Sequence, residues 1–382
     1  MRFTKLKLAA VSAAIVLAAC GGSDGVDFNS TVSFGDSLSD IGTYKVGTIA
    51  ALGGGKWTVN SASALNWTEL VAASARTGAQ CAAQTGLLVN IPGLTGAAVA
   101  NHAGCYNYAQ GSSRVSQLFA PNSATLQAAP FNAVNLGLLA VPLTTQMSMH
   151  LTRVGGSYSG RELVTVMAGG NDVFMNLNGV ASAAGGGATA VGAAVAAGWS
   201  ADVQGAVAAG GAAAANAAAT AAVTGMGAAG AELAALVKAQ VVAKGAKFVV
   251  VVNLPDVTQT PFGQSLDATS RGLLSTMVTT FNSQLSSGLS GSGVLYIDAY
   301  TQGRDQYANP AKYGVSNVTT PACSTTSPAN PLQGSSITCT ANSTVAADVS
   351  GYMFADSVHP SPLGYQLLAQ YVITQMRSLG WI

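Results

Sequence analysis

The 382-residue sequence predicts an α/β layered fold built around a parallel sheet. Three observations carry that expectation. Short apolar runs alternate along the chain with longer helical patterns, the succession that a helix-covered parallel sheet requires. Several of those runs are apolar on both faces, as parallel strands covered by helices should be. Hydrophobic residues make up 49% of the chain, enough for a large core, and only 8% are charged, about a third of the usual globular share.

Taken in chain order, the first element stands outside the fold. "MRFTKLKLAAVSAAIVLAAC" has a basic start (Arg2, Lys5, Lys7), an apolar middle and small residues before a cysteine, which is the pattern of an export signal. The apolar run over 8–20 is too short to span a bilayer. Its ending, Leu17-Ala18-Ala19-Cys20, resembles a bacterial lipobox. That resemblance implies a signal peptide over 1–19 and a lipid on Cys20, with ordinary Ala-x-Ala-type cleavage as the alternative. Gly21 follows the cysteine, where an aspartate would suggest inner-membrane retention. The expectation is therefore a lipoprotein of the outer membrane or cell surface of a Gram-negative bacterium, a secreted or periplasmic protein being the alternative. Residues 20–27 read as a lipidated cysteine and flexible tether, and the folded domain spans 28–382. The G-x-S-x-G match inside that tether lacks the flanking strand and helix that a nucleophile elbow needs. Loss of the three cations in 1–19 takes the formal charge from +1 to −2, so no basic surface points to nucleic acid.

Four later runs read as strands: "STVSF" (30–34), "ELVTVMA" (162–168), "KFVVVVNL" (247–254) and "VLYIDAY" (294–300). Helical patterns cover 64–75, 143–153, about 213–243, 267–285 and 362–379. The last begins with Ser361 as a cap and Pro362 in the first turn, both suited to a helix start. Residues 179–231 are nearly all Ala, Gly, Val, Ser and Thr, without a repeat period. Each interior glycine costs a helix about 1 kcal/mol, which predicts a loosely ordered first half. This Ala/Gly-rich insertion is read as a helical region packing on the sheet, with a lid or membrane-touching segment as the alternative.

Chemistry narrows from the three histidines, because a serine nucleophile needs a general base near neutral pH. His150 lies in the helical stretch "LTTQMSMHLTRV" and reads as a surface or interface residue. His102 lies in the loop "NHAGCYN" and reads as structural. His359 differs, because it follows Asp356 by three residues in "FADSVHPSPLGYQLLA", just before the final helix. That spacing lets a carboxylate hold one imidazole nitrogen while the other faces a serine. A helix-capping aspartate beside an incidental histidine is the bland alternative. Ser37, in "FGDSLSD", follows the first strand at the carboxyl edge, where open α/β sheets place their ligand sites. Gly111 in "NYAQGSSRV" and Asn171 in "VMAGGNDVF" are residue types that can donate hydrogen bonds to a developing oxyanion.

These four blocks, in this order, resemble those of the GDSL or SGNH hydrolases, and the resemblance covers the chain from about residue 28 to its end. "NWTELVA" (66–72) and "NLPDVTQTP" (253–261) are further similar to the larger bacterial GDSL lipase/esterases. The resemblance implies a three-layer α/β/α sandwich (SGNH-hydrolase, flavodoxin-like) and a serine esterase or lipase working through an acyl-enzyme. It gives Ser37 the role of nucleophile, His359 that of base and Asp356 that of orienter. Ser37 N–H, Gly111 N–H and the Asn171 amide would form the oxyanion hole. No cofactor and no metal are expected, and the implied partners are an ester or lipid substrate and a membrane reached through the lipid anchor. Acyl transfer, O-acetyl-ester hydrolysis on an envelope polysaccharide, and a non-catalytic surface lipoprotein on the same fold are the alternatives. The chain departs from the family pattern at Thr43 and in "GSSR", and neither departure removes a catalytic group. Asp36, Asp40 and Asp172 read as turn-stabilising, and Asp256 and Asp298 have no histidine beside them in sequence.

Four cysteines remain after export, and in an exported chain they imply disulfides with three possible connectivities. The nearest-neighbour choice is Cys81 with Cys105 and Cys323 with Cys339. Metal binding is the weaker reading, since no C-x-x-C pattern is present.

Overall fold

The computed structural model describes residues 25–382, so the expected signal peptide and Cys20 lie outside the described residues. In chain order the elements are β1 (Ser30–Gly35), α1 (Gly47–Ala51), α2 (Trp67–Ser74), β2 (Gln84–Leu87), β3 (Ala97–Asn101), α3 (Leu143–Arg153), β4 (Glu162–Met167) and α4 (Gly170–Ala183). There follow α5 (Gly187–Ala197), α6 (Ala201–Ala208), α7 (Gly211–Leu236), β5 (Phe248–Val252), α8 (Pro261–Ser265), α9 (Ala268–Leu289), β6 (Leu295–Ile297), α10 (Ala299–Ala308) and α11 (Pro362–Ser378).

Four strands form a parallel sheet in the order β1-β4-β5-β6. Ser30 lies opposite Glu162, Leu163 opposite Phe248 and Val250 opposite Leu295. The 106–110 segment extends the sheet beyond β1: Ser33 N–H donates to Tyr106 O at 3.0 Å, Tyr108 N–H to Ser33 O at 2.8 Å and Gln110 N–H to Gly35 O at 3.2 Å. Because strand side chains alternate, Val32, Phe34, Val164, Val166 and Val251 enter a core shared with α3, α4, α7 and α9. Leu163, Met167, Val250, Val252 and Ile297 face the other way, onto Trp67 and Val71 of α2 and Tyr365 and Val372 of α11. The result is the three-layer α/β/α sandwich that the resemblance implied. Each of these fully buried apolar side chains contributes about 1.5–3 kcal/mol.

The Ala/Gly-rich insertion is more regular than its glycine content suggested. Glycines at the helix boundaries, including Gly186, Gly187, Gly198, Gly210 and Gly211, adopt positive φ and make turns between α4, α5, α6 and α7. The helices between them bury alanine faces, Ala190, Ala194 and Ala197 among them, around Trp199. A small residue within α7 is required at Gly230, where a Cβ would stand 2.3 Å from Phe281 O of α9. The stretch Gly211–Lys244 is long and apolar enough to cross a membrane by length and composition, and one face of it packs into the core through Ala218, Met226 and Leu233.

Two expectations change. His150 is not a surface or interface residue but is 1% exposed, ringed by Phe34, Tyr106, Tyr108 and Tyr158, because α3 lays this position against β1. The strand expected over 294–300 stops at Ile297, where Asp298 accepts Thr301 N–H and starts α10.

Candidate active site

The turn after β1 is built to project a side chain. Gly35 must be glycine there, since a Cβ would lie 2.5 Å from Met167 O of the neighbouring strand. Buried Gln146 of α3 clamps it, accepting Gly35 N–H at 2.9 Å and donating to Gly35 O at 2.8 Å. Asp36 accepts Leu38 N–H at 3.0 Å, which closes the turn. Three outside donors then brace it: Asn66 Nδ2 to Leu38 O at 2.7 Å, Asn107 Nδ2 to Ser39 O at 3.0 Å and Trp67 Nε1 to Ser39 Oγ at 3.2 Å. Asn66 and Trp67 belong to "NWTELVA", and Asn107 to "NYAQG", so those blocks hold the turn that carries Ser37.

Ser37 and His359 are 322 positions apart in sequence, and Ser37 Oγ lies 2.8 Å from His359 Nε2. His359 Nδ1 lies 2.9 and 2.8 Å from the two oxygens of Asp356. Asp356 also accepts the backbone N–H groups of Val358, His359 and Ser336 at 3.0, 2.8 and 3.1 Å. Burial by itself would raise the Asp356 carboxyl, but His359 and the donors from His359 and Ser336 hold it well below the usual carboxylate range. Ser336 is fixed in turn by Asn60, whose Nδ2 donates to Ser336 O and Cys339 O, and by the Cys323–Cys339 disulfide. The second disulfide joins Cys81 to Cys105 beside the β2–β3 hairpin. The Trp57 indole lies 4.9 Å from the His359 ring, and a Cβ on Gly111 would press against it at 2.5 Å.

Asn171, which lines the same cleft as Ser37, sits in the first turn of α4, with Nδ2 donating to Ser113 O at 3.0 Å. Gly111 departs from its expected role. Its N–H donates to Asp40 Oδ2 at 2.9 Å and is thereby taken up within the protein, because Asp40, buried behind the turn, also gathers Gly42 and Thr43 N–H. The next residue, Ser112, lies at φ +70°, lines the same cleft as Ser37 and Asn171, and its N–H has no protein acceptor among the described residues. Sequence reasoning missed Ser112. A serine in a left-handed conformation leaves no mark in residue type, and the neighbouring glycine drew the assignment.

The departure "GSSR" also has a structural account. Arg114 is 2% exposed, with Nε donating to Asp172 Oδ1 at 2.9 Å and its other nitrogens to the carbonyls of Phe119, Ala196 and Ala197. It therefore ties the 111–114 loop to α4 and to the carboxyl end of α5. Asp36 lies in the cleft wall, and burial pushes its carboxyl up to about 7 against the pull of Leu38 N–H and His359. The cleft, of about 180 Å³, is lined by Ser37, Trp57, Ser112, Asn171, Phe174 and His359, among others. No cluster of three or more His, Cys, Asp or Glu residues that could hold a metal occurs among the described residues.

A serine at the carboxyl edge of a parallel sheet, linked through a histidine to a buried carboxylate, is the arrangement of the serine hydrolases that form covalent intermediates. Within that class, the chain belongs to the GDSL-like Lipase/Acylhydrolase family, whose sequence profile matches residues 32–372. It is similar to GDSL esterase/lipase proteins of Arabidopsis thaliana, 32% identical over 99 residues to one and 37% identical over 93 residues to another. Those matches cover 26% and 24% of this chain and 26% and 24% of the relatives, so the chain spans about a quarter of the length of the curated relatives it matches. Among solved structures it is similar to an extracellular lipase of Streptomyces rimosus, with 13% identity and a TM-score of 0.41 over 92% of this chain and 99% of that one.

Proposed function

We propose that this protein is an exported serine hydrolase of carboxylic esters, with Ser37 as nucleophile, His359 as general base and acid, and Asp356 as the orienting carboxylate. The observation that carries the reading is the continuous pair of contacts, Ser37 Oγ to His359 Nε2 at 2.8 Å and His359 Nδ1 to Asp356 Oδ2 at 2.8 Å. In the acylation step Ser37 Oγ attacks the ester carbonyl carbon while its proton passes to His359 Nε2. The bond to the alcohol oxygen then breaks, and His359 returns the proton to that oxygen. Water next attacks the acyl carbon and gives a proton to His359; the bond to Ser37 Oγ then breaks as His359 returns that proton to it, which leaves the free acid and the starting enzyme. Asp356 remains ionised throughout, holding the Nδ1 proton and stabilising the imidazolium. Negative charge on the carbonyl oxygen is received by Ser37 N–H, by the Asn171 amide and by Ser112 N–H, which takes the place expected of Gly111.

Export of the chain is supported by its two disulfides and by the basic-then-apolar start of the sequence. The Leu17-Ala18-Ala19-Cys20 ending supports a lipid on Cys20 and an outer-membrane or cell-surface location. The decisive experiment treats the purified protein with a fluorophosphonate probe and maps the modified peptide. Labelling at Ser37 with loss of ester hydrolysis is expected, and Ser37→Ala abolishes both. Labelling and hydrolysis that survive in Ser37→Ala refute the assignment.

A further inference from the structure

Beside the Ser37 cleft lies a second pocket, of about 120 Å³. Leu38, Pro255, Thr260 and Val358 line both spaces, so the two are neighbours across a shared wall. The position of that wall is informative: Leu38 follows the nucleophile directly and Val358 directly precedes His359. Behind it the pocket is bounded by Met167 at the end of β4, Ala299 and Gly303 of α10, Met353 and Phe354 of the loop before α11, and Leu368 of α11. Its one carboxylate is already satisfied, since Asp256 accepts Thr258 N–H at 3.1 Å and Arg304 Nη1 at 2.7 Å. The remaining surface is mostly hydrocarbon and offers no charge to a polar ligand.

A pocket of about 120 Å³ beside the nucleophile is several times the share of liquid volume that one water takes, about 30 Å³. Apolar spaces of this order hold hydrocarbon in preference to water, and a space of about 150 Å³ accepts a six-carbon ring. On that scale the pocket takes about five carbons, and the cleft beside it, about 180 Å³, takes the ester group with a few more.

We propose that the second pocket receives the distal part of the acyl chain of a medium-chain ester, about eight to ten carbons long, with Leu38 and Val358 forming the partition past which the chain runs. This rests on the ester-hydrolase reading above and adds to it the substrate class. Short acyl chains end within the cleft and never reach the pocket. Longer chains gain apolar burial with each methylene that passes the partition, about 0.8 kcal/mol or roughly fourfold in kcat/KM per carbon while space lasts.

Gly303 allows the pocket to be filled without touching the cleft. It lines the second pocket only, it lies within a helix, and a Cβ there meets no heavy atom within 4 Å. The test compares kcat/KM for p-nitrophenyl butyrate, octanoate and decanoate in the wild type and in Gly303→Phe. The wild type is expected to favour octanoate or decanoate over butyrate. In Gly303→Phe the octanoate-to-butyrate ratio is expected to fall at least tenfold, with butyrate turnover within twofold of wild type. Gly303→Leu, a smaller plug, should move the ratio in the same direction and covers the case in which the phenyl ring unfolds the site. An unchanged ratio in both variants overturns the acyl pocket while leaving the esterase reading intact. A wild type that hydrolyses none of the three esters defeats the esterase reading itself, so the two failures are distinct.

Discussion

Asn171→Ala separates an acyl-transfer site from a reactive serine in a loop, because the two readings place the loss in different measurements. In the fold, Asn171 is buried at the first turn of α4 and spends one amide hydrogen on Ser113 O at 3.0 Å. Truncation removes that bond, which costs about 1 kcal/mol net. For a chain of this size that lowers the melting temperature by only about 2 °C. The other amide hydrogen is the one assigned to the oxyanion. It is strongly engaged only once the carbonyl oxygen becomes negative, so its loss falls on kcat and spares KM. Removing one such donor typically costs about 10²–10³ in kcat, equivalent to about 3–4 kcal/mol. Steady-state kinetics on a medium-chain ester and a melting curve on the same preparation give both numbers. The expected pattern is a drop of about a hundredfold in kcat, a KM within twofold and a nearly unchanged melt. A kcat within threefold of wild type, or a loss explained wholly by unfolding, would refute the assignment.

Gly111→Ala tests the packing behind His359: the new Cβ would meet the Trp57 ring at 2.5 Å, so the indole must shift against the imidazole. At least a tenfold loss of kcat is expected with probe labelling at Ser37 slowed to match, and wild-type kcat would count against a positioning role for Trp57. The Cys323→Ser/Cys339→Ser double variant removes a closure of 16 positions, worth about 3 kcal/mol by chain entropy. Because that loop supplies the Ser336 N–H that Asp356 accepts, chemical denaturation should show the stability loss and kinetics a lower kcat, and full activity in the folded variant would sink the second half. His150 supplies a pH prediction. Burial, assisted by Arg153 and opposed by Glu162, pushes its imidazole down to about 4 in the fold, against about 6.5 when unfolded. The unfolded chain therefore binds a proton first as pH falls, and the contribution of His150 to stability is complete above about 6.5 and lost towards pH 4, amounting to about 3 kcal/mol. Unfolding free energies of wild type and His150→Phe, compared at pH 7.5 and pH 4, should shift in favour of the variant by that amount on acidification. A gap that does not move with pH would be the contrary result.

Features that depend on local order were legible in the residues alone. Runs apolar on every face, such as "ELVTVMA" and "KFVVVVNL", become the central strands β4 and β5, since only a strand covered on both sides buries such a run. Asp356 and His359 were legible as a pair because three positions in one loop suffice to set a carboxylate against an imidazole. Short elements such as α1, α8 and β2 were less legible, because four or five residues carry too little periodicity to stand out. Other features follow from contacts between segments far apart in the chain. Whether Gly111 or Ser112 offers a free N–H depends on Asp40, some 70 positions away in the chain and folded behind the same turn. Arg114 looked like a departure from a pattern until Asp172 and the end of α5 were brought against its guanidinium. His150 looked exposed until α3 pressed it into a ring of aromatic side chains from three separate segments. Spacing within a segment sets which groups can meet locally, whereas burial and the acceptor each N–H finds are set by segments that meet only when the layers close.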